Sequence, residues 1–358
     1  MQIKTSDREN ALRKALEAGP VETSAPCRVD MGGTLDISTF YFPLRHLAPC
    51  TFNIALAMRT NVTLMPVDGP EVRISSRGFE DAVSGLDELA FDHPLGLISA
   101  IGAYFRVPGI QILIESSSPP RSALGGSSSA AVALVAAFFE LERRSGLKTF
   151  CQDDIPLLAH GLEQSVAGVP CGLQDHLAAF YGGINSWRWT GLASGLPYER
   201  RSLADEFDAK EIDRHLAVAY CGIPHESRRI NSTWVDRFIA GRDRRKWSEI
   251  IECTKSFVDL FSRKDFAGAG NRMNQEVDIR LEMTPHVLDE TGHMLVAAAR
   301  ESGCGARFAG AGGGGCIWAV GEAKNIAELK KIWKKRVEAT DDACLLDTGV
   351  SEAGTVCY

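Results

Sequence analysis

Residues 116–139 read SSSPPRSALGGSSSAAVALVAAFF, and this stretch decides the fold. It follows an apolar run over 112–115 that is typical of a buried strand, and its alanine- and valine-rich half predicts a helix from about Ser128 to Ser145. A loop of glycines and serines that opens a helix presents backbone N–H groups at the positive end of the helix dipole. Such a loop binds phosphate or, alternatively, caps a core helix after a tight turn, and the segment alone leaves both interpretations open.

The composition limits the classes of function. The chain has 358 residues, of which 45% are hydrophobic and 24% charged, as in an ordinary soluble globular protein with two domains. A formal net charge of −7 and the lack of a long basic cluster argue against nucleic acid as a partner. The charged N-terminus and the lack of a long apolar run argue against a signal peptide and a membrane partner. The ten cysteines include no CxxC pair, so neither a zinc nor a redox motif is supported, and the cytoplasm is the expected location.

A second candidate segment covers residues 25–43. Arg28, Asp30 and Asp36 flank a turn at Gly32-Gly33-Thr34, after a predicted strand over 25–29. Carboxylates accept hydrogen bonds from neighbouring sugar hydroxyls, and arginine donates several. The segment therefore favours a polyol-binding corner, with a solvated turn and a surface ion pair as the alternative.

Two further carboxylates lie beyond the central helix. Glu163 belongs to a predicted helix over 155–166, and Asp175 follows twelve residues later, after a Gly-Val-Pro-Cys-Gly turn. One carboxylate can hold a cation while the other faces a substrate hydroxyl. The alternatives are an exposed helix face for Glu163 and a helix N-cap for Asp175.

The last third of the chain carries a glycine run, ARFAGAGGGGCIWAV over 306–320. Gly310, Gly312 and Gly315 satisfy the GxGxxG pattern, but they precede an apolar strand rather than a helix, so a dinucleotide site is not supported. The other predicted helices are a charged one before the fold proper, over 1–20, one over 94–106, a helical region with solvated charged faces over 232–302, and a closing helix over 323–339. Predicted strands cover 51–67 and 72–76, which are expected to be antiparallel, together with 215–221 and 343–348.

Together, the segments 28–36, 119–131 and 306–316 resemble, in order, the three motifs of the GHMP kinase superfamily (galactokinase, homoserine kinase, mevalonate kinase and phosphomevalonate kinase). The second motif of the family, Pro-x-x-x-Gly-Leu-Gly-Ser-Ser-Ala, is similar to the stretch from Pro119 to Ala130. The departures are Ala123 in place of a glycine and Gly126 in place of a serine.

The resemblance implies an α+β fold with a ribosomal-protein-like α/β domain over 24–205 and a ferredoxin-like domain over 206–358, after a charged helical extension over 1–23. It also implies ATP and Mg²⁺ as cofactors. The residues it implies are, for catalysis, Asp175 and Arg28; for ATP, Pro119, Leu124, Gly125, Gly126, Ser127, Ser128, Ser129 and Ala130; for Mg²⁺, Ser127 and Glu163; for the acceptor, Arg28, Asp30, Gly33, Thr34, Asp36, Asp175, Gly183, Gly312 and Gly313.

Within the superfamily, Gly172-Leu-Gln-Asp-His176 and Gly182-Gly-Ile-Asn185 resemble heptose 7-phosphate kinases and the kinase domain of fucokinases. This similarity implies phosphate transfer to the anomeric hydroxyl of a sugar or sugar phosphate. We expect the protein to be a monomer or homodimer. His176 replaces a glutamine, and the chain is one residue shorter between Arg28 and Asp36; both departures are expected at the sugar pocket. A phosphorylated sugar needs a basic subsite, for which Arg121, Arg228, Arg229 and Lys255 are candidates. The alternatives are a kinase of mevalonate or homoserine and a non-catalytic sugar sensor.

Overall fold

Two β-sheets organise the computed structural model, which describes residues 5–147, 151–168, 170–192, 195–224 and 227–358. The strands are, in chain order, β1 (Val21–Met31), β2 (Cys50–Pro66), β3 (Val72–Ser76), β4 (Ala82–Ser84), β5 (Ile110–Ser116), β6 (Ile184–Trp189), β7 (Tyr198–Ser202), β8 (Leu216–Tyr220), β9 (Gly305–Phe308), β10 (Cys316–Val320), β11 (Cys344–Leu345) and β12 (Val356–Cys357).

Helices connect and cover these strands. They are α1 (Thr5–Glu17), α2 (Ser38–Tyr41), α3 (Gly96–Phe105), α4 (Gly126–Arg144), α5 (Asp154–Ala167), α6 (Gln174–Tyr181), α7 (Ala209–Asp213), α8 (Ser227–Ile239), α9 (Arg244–Ser262), α10 (Phe266–Met283), α11 (Glu290–Glu301) and α12 (Ala323–Val337). Among the helices in the described ranges, none is long and apolar enough to cross a membrane.

The first sheet is built around β2. Its strand order is β12-β1-β2-β5-β3-β4, and β6 pairs with both β2 and β7. One edge of β2 pairs with β1, while its other edge pairs first with β6, over Cys50–Ile54, and then with β5, over Thr60–Pro66. The two strands predicted over 51–67 and 72–76 are confirmed, but they are not neighbours, since β3 runs parallel to β5 and β5 lies between them.

The second sheet has the order β11-β8-β10-β9, with every neighbouring pair antiparallel. Helices α8 to α11 connect β8 to β9, and α12 connects β10 to β11. This is the β-α-β-β-α-β arrangement of a ferredoxin-like domain, which confirms the expected fold class. The glycine run leads into β10, as the sequence predicts, and so the dinucleotide interpretation is excluded by the topology.

The N-terminal helix α1 is part of the fold, which corrects its interpretation as a charged extension before the fold proper. Its Leu12 and Leu16 are buried in the core between the first sheet and α3, α4 and α5. Arg8 on the same helix forms an ion pair with Glu142 and donates a hydrogen bond to the Phe105 carbonyl at 2.7 Å. The charges along α1 hid two apolar positions spaced i, i+4, which lie on one face of a helix.

The two sheets meet through an apolar core. It contains Val29 of β1, Phe52 of β2, Phe257 of α9 and Trp318 of β10, all fully buried. The chain also crosses back at its end, because β12 pairs with β1. The domain boundary near residue 205 stays a prediction, and the final residues of the second predicted domain lie in the first sheet.

Helix α4 is the central element of the first domain. It begins at Gly126, two residues before the predicted start, and its small residues from Ala130 to Ala137 let it pack closely against β1 and β2. Ser145 and Gly146, the latter at φ +74°, follow its last turn, which confirms the predicted end of the helix.

Candidate active site

One cavity of about 720 Å³ receives residues from all three motif segments. Arg28, Thr34 and Asp36 line it from the β1–α2 region, and Gly310 and Ala311 line it from the loop between β9 and β10. The second motif contributes the turn before α4 and the first turn of that helix. Its lining residues are Pro119, Pro120, Arg121, Ser122, Ala123, Gly125, Gly126, Ser127, Ser128 and Ala130. The cavity therefore brings together residues that are up to 283 positions apart in the sequence.

The start of α4 can bind phosphate through its backbone. Ser129 N–H is bonded within the helix, to the Gly125 carbonyl at 2.9 Å, whereas the amides of Gly126, Ser127 and Ser128 come too early in the helix to have a carbonyl acceptor within it. Gly125 is the N-cap residue of α4, at φ +76°, and no side-chain hydrogen bond caps the helix there. The serines therefore do not cap the helix, and the amides of its first turn are available to an anion at the positive end of the helix dipole.

Ala123 stands where the related motif has a glycine, and it keeps the backbone conformation that glycine favours, at φ +62°. This left-handed conformation strains a residue that has a Cβ. The Ala123 loop is held by Arg28, which donates to the Ala123 carbonyl at 2.6 Å, and by Cys316 N–H, which donates to the Ser122 carbonyl at 2.9 Å. A Cβ on Gly315 would approach the Ala123 Cβ to 2.8 Å, so the glycine run allows the two loops to pack.

Glu163 on α5 faces the first turn of α4. Its carboxylate accepts hydrogen bonds from the hydroxyls of Ser127 and Ser128, both at 2.9 Å, and lies 2.8 Å from Nε2 of His176. Burial raises the pKa of Glu163, but the neighbouring His176 imidazole and the two serine hydroxyls outweigh burial and lower the pKa to about 2. The carboxylate is therefore ionised at neutral pH, beside two hydroxyl oxygens.

These oxygens fit a magnesium ion. Mg²⁺ prefers oxygen ligands and is commonly held by one or two carboxylates together with water and substrate phosphates. Within the described ranges, no group of three His, Cys, Asp or Glu side chains could hold a metal alone. Glu163 and Ser127 therefore suit an ion that is bound together with a phosphate at the start of α4. The exposed-face alternative for Glu163 is not supported, since only 16% of its side chain is exposed.

Arg28 and Asp175 form a two-bonded ion pair on the other side of the same turn. Arg28 Nε donates to Asp175 Oδ1 and Arg28 Nη2 to Asp175 Oδ2, each at 2.7 Å. Burial lowers the pKa of Arg28, but the negative charges of Asp175 and Asp30 outweigh it and raise the pKa above its usual value. Asp175 lies in the first turn of α6, where Leu173 is the N-cap, so the N-cap alternative for Asp175 is wrong.

Asp175 also adjoins the phosphate-binding turn. A Cβ on Gly125 would lie 3.4 Å from Asp175 Oδ2. Each Asp175 oxygen accepts one hydrogen bond from Arg28 and keeps a lone pair for a further donor. An acceptor hydroxyl placed on Asp175 would therefore lie next to a phosphate bound at the start of α4.

Asp36 lines the cavity and is 5% exposed. Its Oδ2 accepts a hydrogen bond from Gln174 N–H at 3.0 Å, while its buried Oδ1 has no partner within the described part of the chain. Burial, and then the negative charge of Asp175, raise the pKa of Asp36 to about 7. Gly172 packs against this carboxylate so closely that a Cβ there would overlap it. The missing partner and the high pKa both indicate that a ligand forms the missing hydrogen bond to Asp36.

Several predicted acceptor-binding residues do not line the cavity, and the prediction is corrected for them. Asp30 is fully buried because Oδ1 accepts from Gly310 N–H at 2.6 Å and Oδ2 from Arg307 at 2.9 Å. Gly33 lies behind Asp30, and its carbonyl accepts from Arg280 at 2.7 Å. Gly183 is bonded to the Ser351 carbonyl and to Ala55 N–H, at the edge of β2. Gly312 and Gly313 pack against other parts of the second domain, including Val287.

Two residues that were predicted to bind ATP, Leu124 and Ser129, instead hold the loop before α4 against β1. The Leu124 side chain is fully buried in the core between the sheets, and its carbonyl accepts from Arg28 N–H at 2.9 Å. The Ser129 hydroxyl donates to the Pro26 carbonyl at 2.8 Å and is 1% exposed. Both residues fix the loop against β1, and neither contributes an atom to the cavity wall.

His176 lies elsewhere than the sequence predicts. It is fully buried on the inner side of Glu163, with His160 packed edge-on at 5.3 Å between ring centres, and it does not line the cavity. The departure from glutamine at this position therefore concerns the carboxylate that faces the phosphate turn, and not the sugar pocket.

A buried ionic network was missed by the sequence prediction. Glu276 accepts from Arg280 at 2.8 Å and from Arg307 at 3.3 Å, and all three side chains are fully buried. Arg280 also donates to Thr34 Oγ1 at 3.1 Å and thus holds a threonine with φ +75° at the cavity wall. The available signals were the i, i+4 spacing of Glu276 and Arg280 and an arginine inside the apolar run before the glycines.

Part of the chain matches a known protein family in sequence. Residues 92–183 match the family model described as "GHMP kinases N terminal domain". A curated mevalonate kinase from Pyrococcus horikoshii is 23% identical over 313 residues, which cover 78% of this chain and 84% of the relative.

Solved structures share the fold over nearly the whole chain. A Lactococcus lactis galactokinase complexed with galactose has a TM-score of 0.70 at 16% identity, covering 98% of this chain and 99% of that chain. A D-glycero-D-manno-heptose 1-phosphate kinase from Bacteriodes thetaiotaomicron has a TM-score of 0.68 at 15% identity, covering 94% and 98%. At these identities the likeness concerns the fold and leaves the substrate open. The family-model match over residues 92–183 confirms the resemblance of this part of the chain to the GHMP kinase superfamily.

Proposed function

We propose that this protein is an ATP- and Mg²⁺-dependent kinase that transfers the γ-phosphate to a hydroxyl of a sugar or sugar phosphate, with the anomeric hydroxyl as the first candidate. The observation that carries the proposal is the arrangement around Gly125. The Arg28–Asp175 pair lies on one side of this glycine, and the amides of α4 and the Glu163 carboxylate lie on the other.

In this proposal, the amides of Gly126 to Ser128 bind the phosphates of ATP, and Glu163 with Ser127 holds the metal. Mg²⁺, when bound, neutralises charge on the β- and γ-phosphates and so favours departure of ADP. Apolar side chains that line the cavity, among them Leu95 and Ile98, suit the adenine base.

Asp175 receives the acceptor hydroxyl. The carboxylate accepts its hydrogen bond, orients its oxygen towards the γ-phosphate and takes up its proton as the new P–O bond forms. Arg28 fixes Asp175 through two bonds and keeps positive charge beside the reacting oxygens. An anomeric hydroxyl is more acidic than an ordinary alcohol, so a carboxylate that is paired with an arginine is a sufficient base.

A mevalonate-type kinase is the second candidate, because the curated relatives that match this chain are named mevalonate kinases, at 23% and 26% identity. A coupled assay of ADP release separates the candidates, with galactose, fucose, arabinose and heptose 7-phosphate on one side and mevalonate and homoserine on the other. Turnover of a sugar that Asp175→Asn abolishes supports the proposal. Turnover of mevalonate or homoserine alone refutes the sugar assignment, and sugar binding without turnover on any acceptor identifies a sensor.

A further inference from the structure

We propose that the acceptor site recognises an uncharged polyol, that is, a sugar that carries neither a phosphate nor a carboxylate; this inference rests on the proposed kinase function. The acceptor site is defined here as the part of the cavity around Asp175 that is lined by Thr34, Asp36, Ile37, Gln174 and Asn231. Its hydrogen-bonding atoms and its charges both lead to this conclusion.

The acceptor site is rich in unsatisfied hydrogen-bond acceptors. Asp36 Oδ1, Gln174 Oε1 and Asn231 Oδ1 are buried, and none has a hydrogen-bond partner within the described residues. Asp36 and Gln174 are 5% and 3% exposed, so bulk water does not compensate them. Three unpaired acceptor oxygens among the residues that line this site favour a ligand with several donors, and a ring of hydroxyl groups provides them.

The same site also offers a donor and an apolar surface. Thr34 Oγ1 accepts its hydrogen bond from Arg280, so the hydroxyl hydrogen of Thr34 remains available to a ligand oxygen. Ile37 and Ala311 line the cavity with apolar atoms. A sugar hydroxyl both donates and accepts, and the C–H face of a sugar ring is apolar, so a neutral sugar matches each of these features.

The charges of the acceptor site oppose an anionic ligand. Arg28 is its cation, and the guanidinium is already bonded to both oxygens of Asp175 and to the Ala123 carbonyl. With Arg28 committed, the remaining charges among the lining residues of this site are the Asp175 carboxylate and, above a pKa of about 7, the carboxylate of Asp36. A phosphate or carboxylate group bound here would face like charge without a partner, which disfavours it strongly.

Of the cations that the sequence suggested for a phosphate subsite, Arg121 lines the cavity, as Arg77 also does, and Lys255 does not. Arg77 and Arg121 line the cavity next to Gly78 and Pro120, two turns that adjoin each other on the side of the phosphate-binding loop. Lys255 is paired with Glu252 on the surface of α9 and does not line the cavity. The side chains of Arg228 and Arg229 lie outside the described part of the chain, and the experiment below tests them directly.

The experiment compares matched pairs of acceptors: galactose with galactose 6-phosphate, mannose with mannose 6-phosphate, and a heptose with its 7-phosphate. Each is assayed for ADP release with Mg·ATP and for its effect on the thermal melting temperature without ATP. We expect a neutral sugar to exceed its phosphorylated partner, and also mevalonate, about 10-fold or more in kcat/KM. Asn231→Ala should raise the KM for that sugar about 10-fold with little change in kcat, because it removes a binding oxygen remote from the transferred phosphate. Lys255→Ala serves as the matched surface control.

The outcomes separate the inference from the function on which it rests. A phosphorylated sugar that is preferred over its neutral partner overturns the inference and leaves the kinase proposal standing. If Arg228→Ala or Arg229→Ala then removes that preference, the replaced arginine is the residue that binds the phosphate of the sugar. If none of the acceptors supports ADP release, the kinase proposal is refuted. In that case the melting shifts still decide the inference, which fails unless a neutral sugar stabilises the protein more than its phosphorylated partner does.

Discussion

Replacing Asp36 with asparagine should make the protein more stable, and the gain should depend on pH. The pKa of Asp36 is about 7 in the folded protein against a usual value of 3.8, so the folded chain holds this proton more tightly than the unfolded chain does. The contribution of Asp36 to stability is therefore unperturbed below pH 3.8, falls as the pH rises from 3.8 to about 7, and is constant above that.

The size of the effect follows from the two pKa values. At 1.36 kcal/mol per pKa unit, Asp36 lowers the free energy of unfolding by about 4 kcal/mol at pH 8 and by about 1.5 kcal/mol at pH 5. Asparagine has nearly the same shape, carries no charge, and can still accept the hydrogen bond from Gln174 N–H. The stability difference between Asp36→Asn and the parent protein should therefore grow by about 2.5 kcal/mol from pH 5 to pH 8.

Urea unfolding followed by tryptophan fluorescence measures this difference at both pH values. The matched control is Asp87→Asn, since the Asp87 side chain is 82% exposed and its only ion pair among the described residues is with Arg106 at the surface. The control should change stability by less than about 0.5 kcal/mol at either pH. A difference for Asp36→Asn that is equal at pH 5 and pH 8, or an Asp36→Asn protein less stable than the parent at pH 8, would refute the reasoning.

Four other predictions follow from contacts around the cavity. Glu163→Gln should raise the Mg²⁺ concentration needed for half-maximal activity about 10-fold or more, because an amide is a weaker magnesium ligand; an unchanged Mg²⁺ titration removes Glu163 from the metal site. His176→Ala should also raise the Mg²⁺ concentration needed for half-maximal activity, because His176 lies against the Glu163 carboxylate. His176→Gln, which keeps a donor group near Glu163, should raise it less. Equal increases for the two variants would contradict the role of His176 in positioning Glu163. Glu276→Ala should lower the free energy of unfolding by about 3–5 kcal/mol, since it leaves buried Arg280 without its carboxylate and Arg307 with Asp30 alone, and a loss below 1 kcal/mol would contradict the network. Ala123→Gly should leave stability equal or improve it by up to about 1 kcal/mol by relieving the left-handed backbone, and a marked loss in urea unfolding would show that this position is not strained.

Local pattern was enough to predict much of the fold. The alanine-rich run of α4, the glycine run before β10 and the amphipathic helix α12 each follow from periodicity and from residues with special backbone freedom. Strand pairing was less accessible, because the parallel contact of β3 with β5 depends on where a whole crossover packs. The ferredoxin-like fold of the second domain was predicted from the resemblance. Periodicity alone would have predicted a series of helices there.

The candidate site divides in the same way. Residue chemistry and the resemblance brought Arg28, Asp175 and Glu163 forward, and the structure brings all three to one turn. Asp30 and Asp36 were indistinguishable in sequence, since both are acids beside the same glycine turn. Only tertiary packing turns Asp30 towards Arg307 and leaves an Asp36 oxygen without a partner. His176 was misassigned for a similar reason, because adjacent residues of α6 point to different sides of the helix.

The central claim is that Asp175 acts on the acceptor hydroxyl and not on the nucleotide or the fold. The measurement that tests it most directly is the single-turnover rate of Asp175→Asn on the best acceptor, with the affinity for Mg·ATP determined by calorimetry on the same sample. We predict a rate at least about 100-fold below that of the parent protein and a Kd for Mg·ATP within about threefold of it. An undiminished rate, or a loss of Mg·ATP binding and of rate together, would contradict the account.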